Sequence, residues 1–139
     1  MPAEPNYQRL LEFRTGLRRF LRWSEEQAAA VGLTPAQHQL LLAIRGHPHP
    51  SGPTVGDVAD YLLLRHHSTV GLIDRAEAAG FVRRDRDAED HRVVRLRLTA
   101  AGRRRIEMLV ETHLAEIARF APHFRRLWEG LDVFTPTSP

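Results

Sequence analysis

Arginine dominates residues 83–105, which hold nine arginines and four acids, whereas all 139 residues together carry a formal net charge of only +3. The nine guanidiniums exceed the four carboxylates by five charges, so the remainder of the chain is slightly acidic. Guanidinium groups present fixed forks of N–H donors that match phosphate and carboxylate oxygens. A local excess of this kind is typical of proteins that bind a polyanion; the alternative is a solvated charged face.

The elements that carry these arginines are predicted from a change in hydrophobic period. A short helical pattern runs from about His67 to Ala79 and ends at Gly80. Residues 82–85 then form an extended run, and residues 92–98 alternate valine and leucine with arginine, as a half-buried strand does. The polar sequence DAED between the two runs predicts the tip of a β-hairpin.

Helices are predicted upstream of this segment. Residues 7–30 show apolar spacing of three and four, and Gly32 ends the pattern. The sequence TPAQ from Thr34 predicts a capping box with proline in the first helical position. Thr54 caps a third helix, and this helix and the next, separated by a few residues, predict a helix-turn-helix.

The C-terminal part is predicted to be helical and, like the N-terminal helix, to expose an apolar stripe. Thr99 caps a long helix, and Pro122 is expected to start a separate short helix that includes Leu131. The apolar stripes of residues 7–31 and 100–131 exceed what so small a domain covers, which predicts a homodimer interface. We therefore expect one domain, residues 1–139, with a DNA-binding lobe at 34–99.

Several functions are disfavoured by the sequence. The chain has no cysteine, so disulfides and thiolate sites are excluded. No histidine pair has the spacing of a closed metal site, and no phosphate loop, nucleophile motif or paired-carboxylate cleft indicates an enzyme. We expect no cofactor. No membrane span or signal peptide is visible, so the chain is expected in the cytoplasm without a membrane partner.

Two stretches resemble the MarR family of bacterial transcription regulators. LIDRAEAAGFVRR, residues 72–84, is similar to the family's junction of helix, glycine and strand. DHRVVRLRLTAAG, residues 90–102, is similar to the family's Asp-x-Arg wing followed by Leu-Thr-x-x-Gly. The resemblance implies a mainly α fold with a small β-hairpin wing (α+β): a winged helix-turn-helix flanked by N- and C-terminal dimerisation helices.

The recognition helix of such a fold enters the major groove with its N-terminal residues on base edges. Those residues are His66, His67 and Ser68 here, and Val70 can touch a thymine methyl. Gly71 permits close approach to the duplex, and Arg75 is placed to reach a phosphate. The alternative is that the two histidines only solvate the start of a helix.

Arginines of the wing are further candidates for DNA contact. Arg92 resembles the family arginine that inserts into a minor groove, and Asp90 the aspartate that orients it. Candidates for contact with the DNA backbone are Arg83, Arg84, Arg86, Arg95 and Arg97. The sequence departs from the family in the turn, where Leu63, Arg65 and His66 replace a glycine and Ser-Pro.

A ligand cleft is implied by the same resemblance, between the dimer region and the DNA-binding lobe. Its candidate residues are Arg14, Arg18, Trp23 and His38, which would bind a small aromatic or phenolic effector. The resulting prediction is a ligand-responsive repressor that acts as a homodimer on a palindromic operator in double-stranded DNA. The alternative is a winged-helix protein-interaction module without DNA binding.

Overall fold

Five helices and one hairpin follow one another in residues 4–129, the part of the chain that the computed structural model describes. The order along the chain is α1 (Glu4–Ala30), α2 (Pro35–Gly46), α3 (Val55–Leu62), α4 (His66–Ala78), β1 (Val82–Arg86), β2 (Val94–Leu98) and α5 (Ala100–Trp128). The predicted class, mainly helical with one hairpin, is confirmed. Leu131 and the last residues, predicted as helix and frayed tail, lie outside the described residues.

Helix starts are fixed by the side chains that the sequence indicated. The Thr34 hydroxyl accepts the Gln37 N–H at 3.1 Å, while the Gln37 side chain accepts the Thr34 N–H at 3.0 Å. Thr54 and Asp57 form the same reciprocal pair at the start of α3. Each pair satisfies two backbone N–H groups that a helix N-terminus leaves without partners, so α2 and α3 begin at defined residues.

The hairpin is antiparallel, with Val82 opposite Leu98 and Arg86 opposite Val94. Val82, Leu96 and Leu98 are buried on its inner face, so the predicted alternation holds within β2. The strand begins at Val94 rather than Arg92, however. Val93 donates its N–H to the Asp90 carbonyl at 3.0 Å, a turn contact that keeps Arg92 out of the ladder.

The loop before α3 pairs with the free edge of β2. The Leu96 N–H donates to the Pro53 carbonyl at 2.8 Å, and Thr54 pairs with Arg95. Gly52 has a φ of +89°, and a Cβ there would lie 2.1 Å from the Leu96 carbonyl oxygen. This approach therefore requires glycine, and it fixes the loop against β2.

One hydrophobic core joins α2, α3, α4, the hairpin and the start of α5. Its largest fully buried aliphatic side chains include Leu40, Leu41, Ile73 and Leu96. The inner face of α4 supplies Thr69, Leu72, Ile73 and Ala76 to the core. The opposite face of α4 therefore points away from the core.

α5 runs without interruption through Pro122, so the prediction of a separate short helix was wrong. Proline lacks the N–H that would bond to the preceding turn, and in an isolated helix it costs about 3 kcal/mol. Here the C-terminal turns pack against α1: the Phe13 ring lies 5.6 Å from Phe124 and 5.9 Å from Trp128, centroid to centroid. Continuing the helix keeps these rings on one stripe, which offsets the lost hydrogen bond.

Candidate nucleic-acid interface

The start of α4 is exposed and carries no side-chain cap. Arg65 occupies the N-cap position without a capping hydrogen bond, and the three residues that follow it, His66, His67 and Ser68, are all exposed. The Thr69 hydroxyl turns inward and donates to the Arg65 carbonyl at 2.9 Å. The first turn of α4 thus exposes three hydrogen-bonding side chains and free backbone N–H groups to solvent or to a bound partner.

Further along the outward face, α4 carries Val70, Gly71 and Arg75. Val70 and Gly71 are half-buried, and Arg75 is exposed. A Cβ at Gly71 would lie 3.3 Å from a guanidinium nitrogen of Arg75, so the glycine leaves room for that side chain along the helix. Among the described residues Arg75 forms no ion pair, which leaves its guanidinium available for an external anion.

The turn before α4 is built on a leucine where the family often has glycine. Leu63 has φ 55° and ψ 41°, the left-handed conformation, and its N–H caps α3 by donating to the Ala59 carbonyl. Its side chain is 91% exposed. A left-handed L-residue is strained by roughly 1–2 kcal/mol. Leu63 thus replaces the family's glycine, but the backbone keeps the left-handed conformation that glycine favours.

The hairpin tip holds Arg92 with an aspartate. The Asp90 carboxylate accepts Nε of Arg92 at 3.0 Å, a terminal guanidinium nitrogen at 3.1 Å and the Arg92 backbone N–H at 3.1 Å. These bonds hold the pKa of Asp90 below its usual value, with the side-chain bond as the largest cause. The Arg92 side chain nevertheless stays 90% exposed, so it is oriented without being covered.

A second aspartate builds the turn itself. Asp87 accepts the backbone N–H groups of Asp90 at 3.0 Å and Glu89 at 3.1 Å, and also Nε of Arg95 at 3.2 Å. Hydrogen bonds from these backbone groups lower its pKa first, and the Arg95 bond adds to the effect. Asp87 and Asp90 therefore shape the turn and orient its arginines, the role that the family resemblance implied for Asp90.

Two arginines of the hairpin are directed into the protein. The guanidinium of Arg84 donates to Asp74 at 2.6 Å and to Glu77 at 2.9 Å, both on α4, and its side chain is 27% exposed. Arg95 donates to Asp87 and to the Gly52 carbonyl, and its side chain is 18% exposed. The sequence did not single out Asp74 and Glu77, although their spacing of three places both on one helix face.

The other hairpin arginines differ in their surroundings. Arg83 and Arg97 lie opposite each other in the register and both approach Asp85, at 3.2 and 3.4 Å. Arg86 is exposed and forms no ion pair among residues 4–129. The thirteen predicted DNA-binding residues thus include an exposed subset with unengaged side chains, formed by His66, His67, Ser68, Arg75 and Arg86, together with Arg92.

The predicted ligand region contains a histidine pair above a cavity of about 360 Å³ between α1, α2 and α5. The His38 and His113 rings lie 4.9 Å apart, and burial, followed by the facing His113, lowers the pKa of His38. His113 Nδ1 donates to the Leu109 carbonyl at 2.8 Å, so its Nε2 accepts the Ser24 hydroxyl at 2.7 Å when the ring is neutral.

The remaining candidates for ligand contact are arranged differently from the expectation. Trp23, Arg14 and Arg18 do not line the cavity: Trp23 packs on the ring of His113, with 4.9 Å between centroids, and the two arginines are exposed on α1. The cavity walls are mainly apolar, including Phe20, Leu42 and Ile106. Sequence reasoning missed Ser24 as a partner of His113; no spacing rule connects α1 to α5.

Comparison with known proteins identifies the architecture. A sequence model described as the MarR family matches residues 31–93, from the end of α1 to the wing tip. A MarR family protein from Bacillus stearothermophilus has a structure similar to this one, with a TM-score of 0.72 at 28% identity over 86% of this chain and 81% of that chain. The chain is similar to the MarR family in sequence over residues 31–93 and in fold over most of its length. The descriptions of two of the proteins that it matches name them as a MarR family transcription regulator and a transcriptional activatory protein.

Two other comparisons cover different shares of the matched chains. Transcriptional activatory protein BadR of Rhodopseudomonas palustris is 35% identical over 82 residues, which are 59% of this chain and 47% of BadR. The chain thus spans about half the length of that relative. The crystal structure of an S. aureus MepR–DNA complex gives a TM-score of 0.66 over 78% of both chains at 19% identity, which shows the fold alone.

Two further findings concern the described residues, 4–129. No helix in residues 4–129 combines the length and the apolar character that crossing a membrane requires. Within the same residues, no three histidine or acidic side chains gather into a group that could hold a metal ion.

Proposed function

We propose that the chain binds double-stranded DNA as a homodimer, with the first turn of α4 in the major groove and Arg92 in the adjacent minor groove. The observation that carries the proposal is the state of Arg92: Asp90 orients its guanidinium, yet the side chain is 90% exposed at the hairpin tip. An arginine held outward in this way suits the negative potential of a narrow minor groove.

Base contact is assigned to the exposed start of α4. His66, His67 and Ser68 can exchange hydrogen bonds with base edges, and Val70 can contact a thymine methyl. Arg75 and Arg86 are assigned to phosphates because they form no ion pair among residues 4–129. Arg84 and Arg95 were backbone-contact candidates from the sequence; with their guanidiniums bonded within the protein, we propose that they position the wing instead.

Dimerisation is assigned to the helices that flank the winged lobe. Leu10, Leu17 and Leu21 on α1 and Leu114 and Ile117 on α5 are exposed in the single chain. Large exposed apolar patches of this kind mark association surfaces. Sedimentation at micromolar concentration should give twice the 15.9 kDa of one chain, and a monomer would refute the assignment.

Ligand response is assigned to the cavity beside His38. Its volume of about 360 Å³ and mainly apolar walls suit a small aromatic or phenolic molecule. Coupling requires that DNA weaken ligand binding by the same factor by which ligand weakens DNA binding. A compound whose affinity is identical with and without operator DNA is therefore not the effector.

The direction of regulation stays a prediction. The family resemblance led to a repressor, whereas BadR is named an activatory protein. A reporter placed behind the recovered operator distinguishes the two: expression should rise on deletion of the gene if the chain represses, and fall if it activates.

Recovery of genomic DNA on the purified protein tests the proposal as a whole. We expect enrichment of a near-palindrome whose half-sites lie about one helical turn apart, because a two-fold dimer presents two α4 helices. Arg104→Gln, on the exposed side of α5, serves as a charge-matched control for Arg92→Gln. Equal enrichment by all three proteins, or enrichment without a common sequence, would contradict the proposal.

A further inference from the structure

The hairpin has a second face, which points away from α4. In the register, Val82, Arg84, Leu96 and Leu98 occupy the face that packs on the core and on α4. Strand alternation therefore places Arg83 and Arg97 on the opposite face. The sheet separates these two arginines from the helix to which DNA reading is assigned.

This outer face forms one wall of a cleft of about 490 Å³. The other walls come from the end of α2, the loop that follows it and the start of α5. Six basic side chains line the cleft: Arg45, His47, His49, Arg83, Arg97 and Arg103. No carboxylate is among the lining residues, so the cleft is a concentrated positive site of ligand size.

Internal partners neutralise only part of this charge. Asp85, beside the cleft, approaches both Arg83 and Arg97, whereas Arg45 and Arg103 have no ion-pair partner among residues 4–129. In the described part of the chain, Asp85 is the one carboxylate in contact with these four guanidiniums, which leaves an excess of three positive charges among these groups. Both unpaired arginines are exposed, so their forks are free to turn towards a bound group.

The two histidines are held by neighbours in different ways. His47 contacts the Tyr61 hydroxyl at 2.9 Å and Asp57 at 3.6 Å, which ties it to α3. His49 Nδ1 accepts the Ser51 N–H at 3.1 Å, so the ring proton resides on Nε2. His49 is thus a hydrogen-bond donor at its outer nitrogen, as an anion site requires.

The start of α5 adds a further attraction for anions. Its N-terminal N–H groups carry the positive end of the helix dipole, and its first turn contains no acidic residue. Arg103 follows these residues and lines the cleft. An anion bound between α5 and the sheet could accept hydrogen bonds from the free N–H groups of the helix start.

We propose that this cleft binds a small ligand bearing phosphate groups, independently of operator DNA. Multiple arginine forks and a helix start are the groups that recognise phosphate oxygens. The excess of three charges matches an anion with more than one negative charge. The cleft is concave and lies across the sheet from α4, which favours a small molecule over the duplex that α4 reads.

Titration calorimetry with inorganic pyrophosphate at fixed ionic strength, in metal-free buffer, tests the site. We expect saturable binding of one pyrophosphate per chain. The double variant R45Q/R103Q should lose at least tenfold in affinity and keep the thermal stability of the parent, because neither arginine has a partner to lose. R104Q, which removes one exposed charge outside the cleft, should bind like the parent.

Three outcomes would overturn the proposal. These are no saturable binding to the parent, an equal loss in R104Q and R45Q/R103Q, or pyrophosphate binding that is untouched by the double variant. A DNA arm separates the two sources of phosphate. If R45Q/R103Q lowers the salt dependence of duplex binding while pyrophosphate does not bind, the cleft contacts the DNA backbone and the small-ligand proposal fails.

Discussion

Arg84 and Arg92 lie on the same hairpin eight residues apart, and their neighbours give them opposite roles. Arg84 bonds to two carboxylates on α4 and is mostly covered, which holds the hairpin against α4. Arg92 meets one carboxylate from its own turn and remains 90% exposed. In an arginine-rich segment, therefore, residue type indicates a polyanion partner, but tertiary contacts decide which guanidiniums are available to it.

The exposed arginines at the proposed DNA interface should have their largest effect on the salt dependence of DNA binding. Arg75, Arg86 and Arg92 give six exposed guanidiniums in the proposed dimer, so operator affinity should fall about 10³-fold between about 50 and 200 mM salt. Arg86→Gln should make the dependence less steep, whereas Arg84→Gln should leave it unchanged. Fluorescence anisotropy at several salt concentrations measures this. Equal slopes for both variants would erase the distinction between available and engaged arginines.

Removal of the engaged arginine should affect stability instead. Arg84→Met leaves Asp74 and Glu77 facing each other without a cation, and we expect a loss of about 1 kcal/mol, the upper range for partly exposed pairs. Arg83→Met is the matched control, because Asp85 keeps Arg97 as a partner. Urea unfolding gives both values. If the two variants are equally stable, Arg84 does not hold the wing.

Replacement of Leu63, the left-handed residue in the turn before α4, should change stability by a smaller amount and in the opposite direction. Leu63→Gly should stabilise the fold by roughly 0.5–1 kcal/mol, since glycine adopts this φ without strain but loses more entropy on folding. Leu64→Gly, at a neighbouring position without positive φ, should destabilise it. A loss of stability in Leu63→Gly would mean that the exposed leucine makes contacts that outweigh its backbone strain.

The pH dependence of stability should show the contribution of His38. Burial and His113 lower its pKa in the folded state, so below the ordinary value of 6.5 the unfolded chain takes up a proton that the fold does not. Stability should consequently decrease as the pH falls from 6.5 and level off below the folded pKa. His38→Gln should reduce this decrease in thermal melts between pH 7.5 and 5. An unchanged pH profile would exclude His38 as its source.

Local signals made much of the fold predictable. The capping boxes at Thr34 and Thr54 involve side chains three residues apart, and the alternation of β2 reflects one buried face. These features depend on short stretches of chain, so a single sequence contains them. The pairing of Asp90 with Arg92 was instead implied by the resemblance to the Asp-x-Arg wing of the MarR family, and the two side chains are bonded within one turn.

The remaining features depend on contacts between distant segments. By itself, Pro122 favours the start or the end of a helix. It nevertheless stays within α5, because Phe124 and Trp128 pack on α1. The engagement of Arg84 depends on the position of α4 beside β1. The Ser24–His113 bond joins residues 89 positions apart. Helix periodicity describes none of these distances, so the sequence placed Arg84 and Arg95 among the candidates for DNA-backbone contact although both are bonded within the protein.

Operator affinity of Arg92→Ala tests the central claim most directly. Anisotropy titrations with operator and scrambled duplexes should show a loss of roughly 1–3 kcal/mol on the operator, with the melting temperature unchanged because an exposed tip residue supports little packing. Asp90→Ala should lose less in the same direction, and Arg104→Ala should bind like the parent. If Arg92→Ala binds the operator as the parent does, the wing does not read DNA and the account is contradicted.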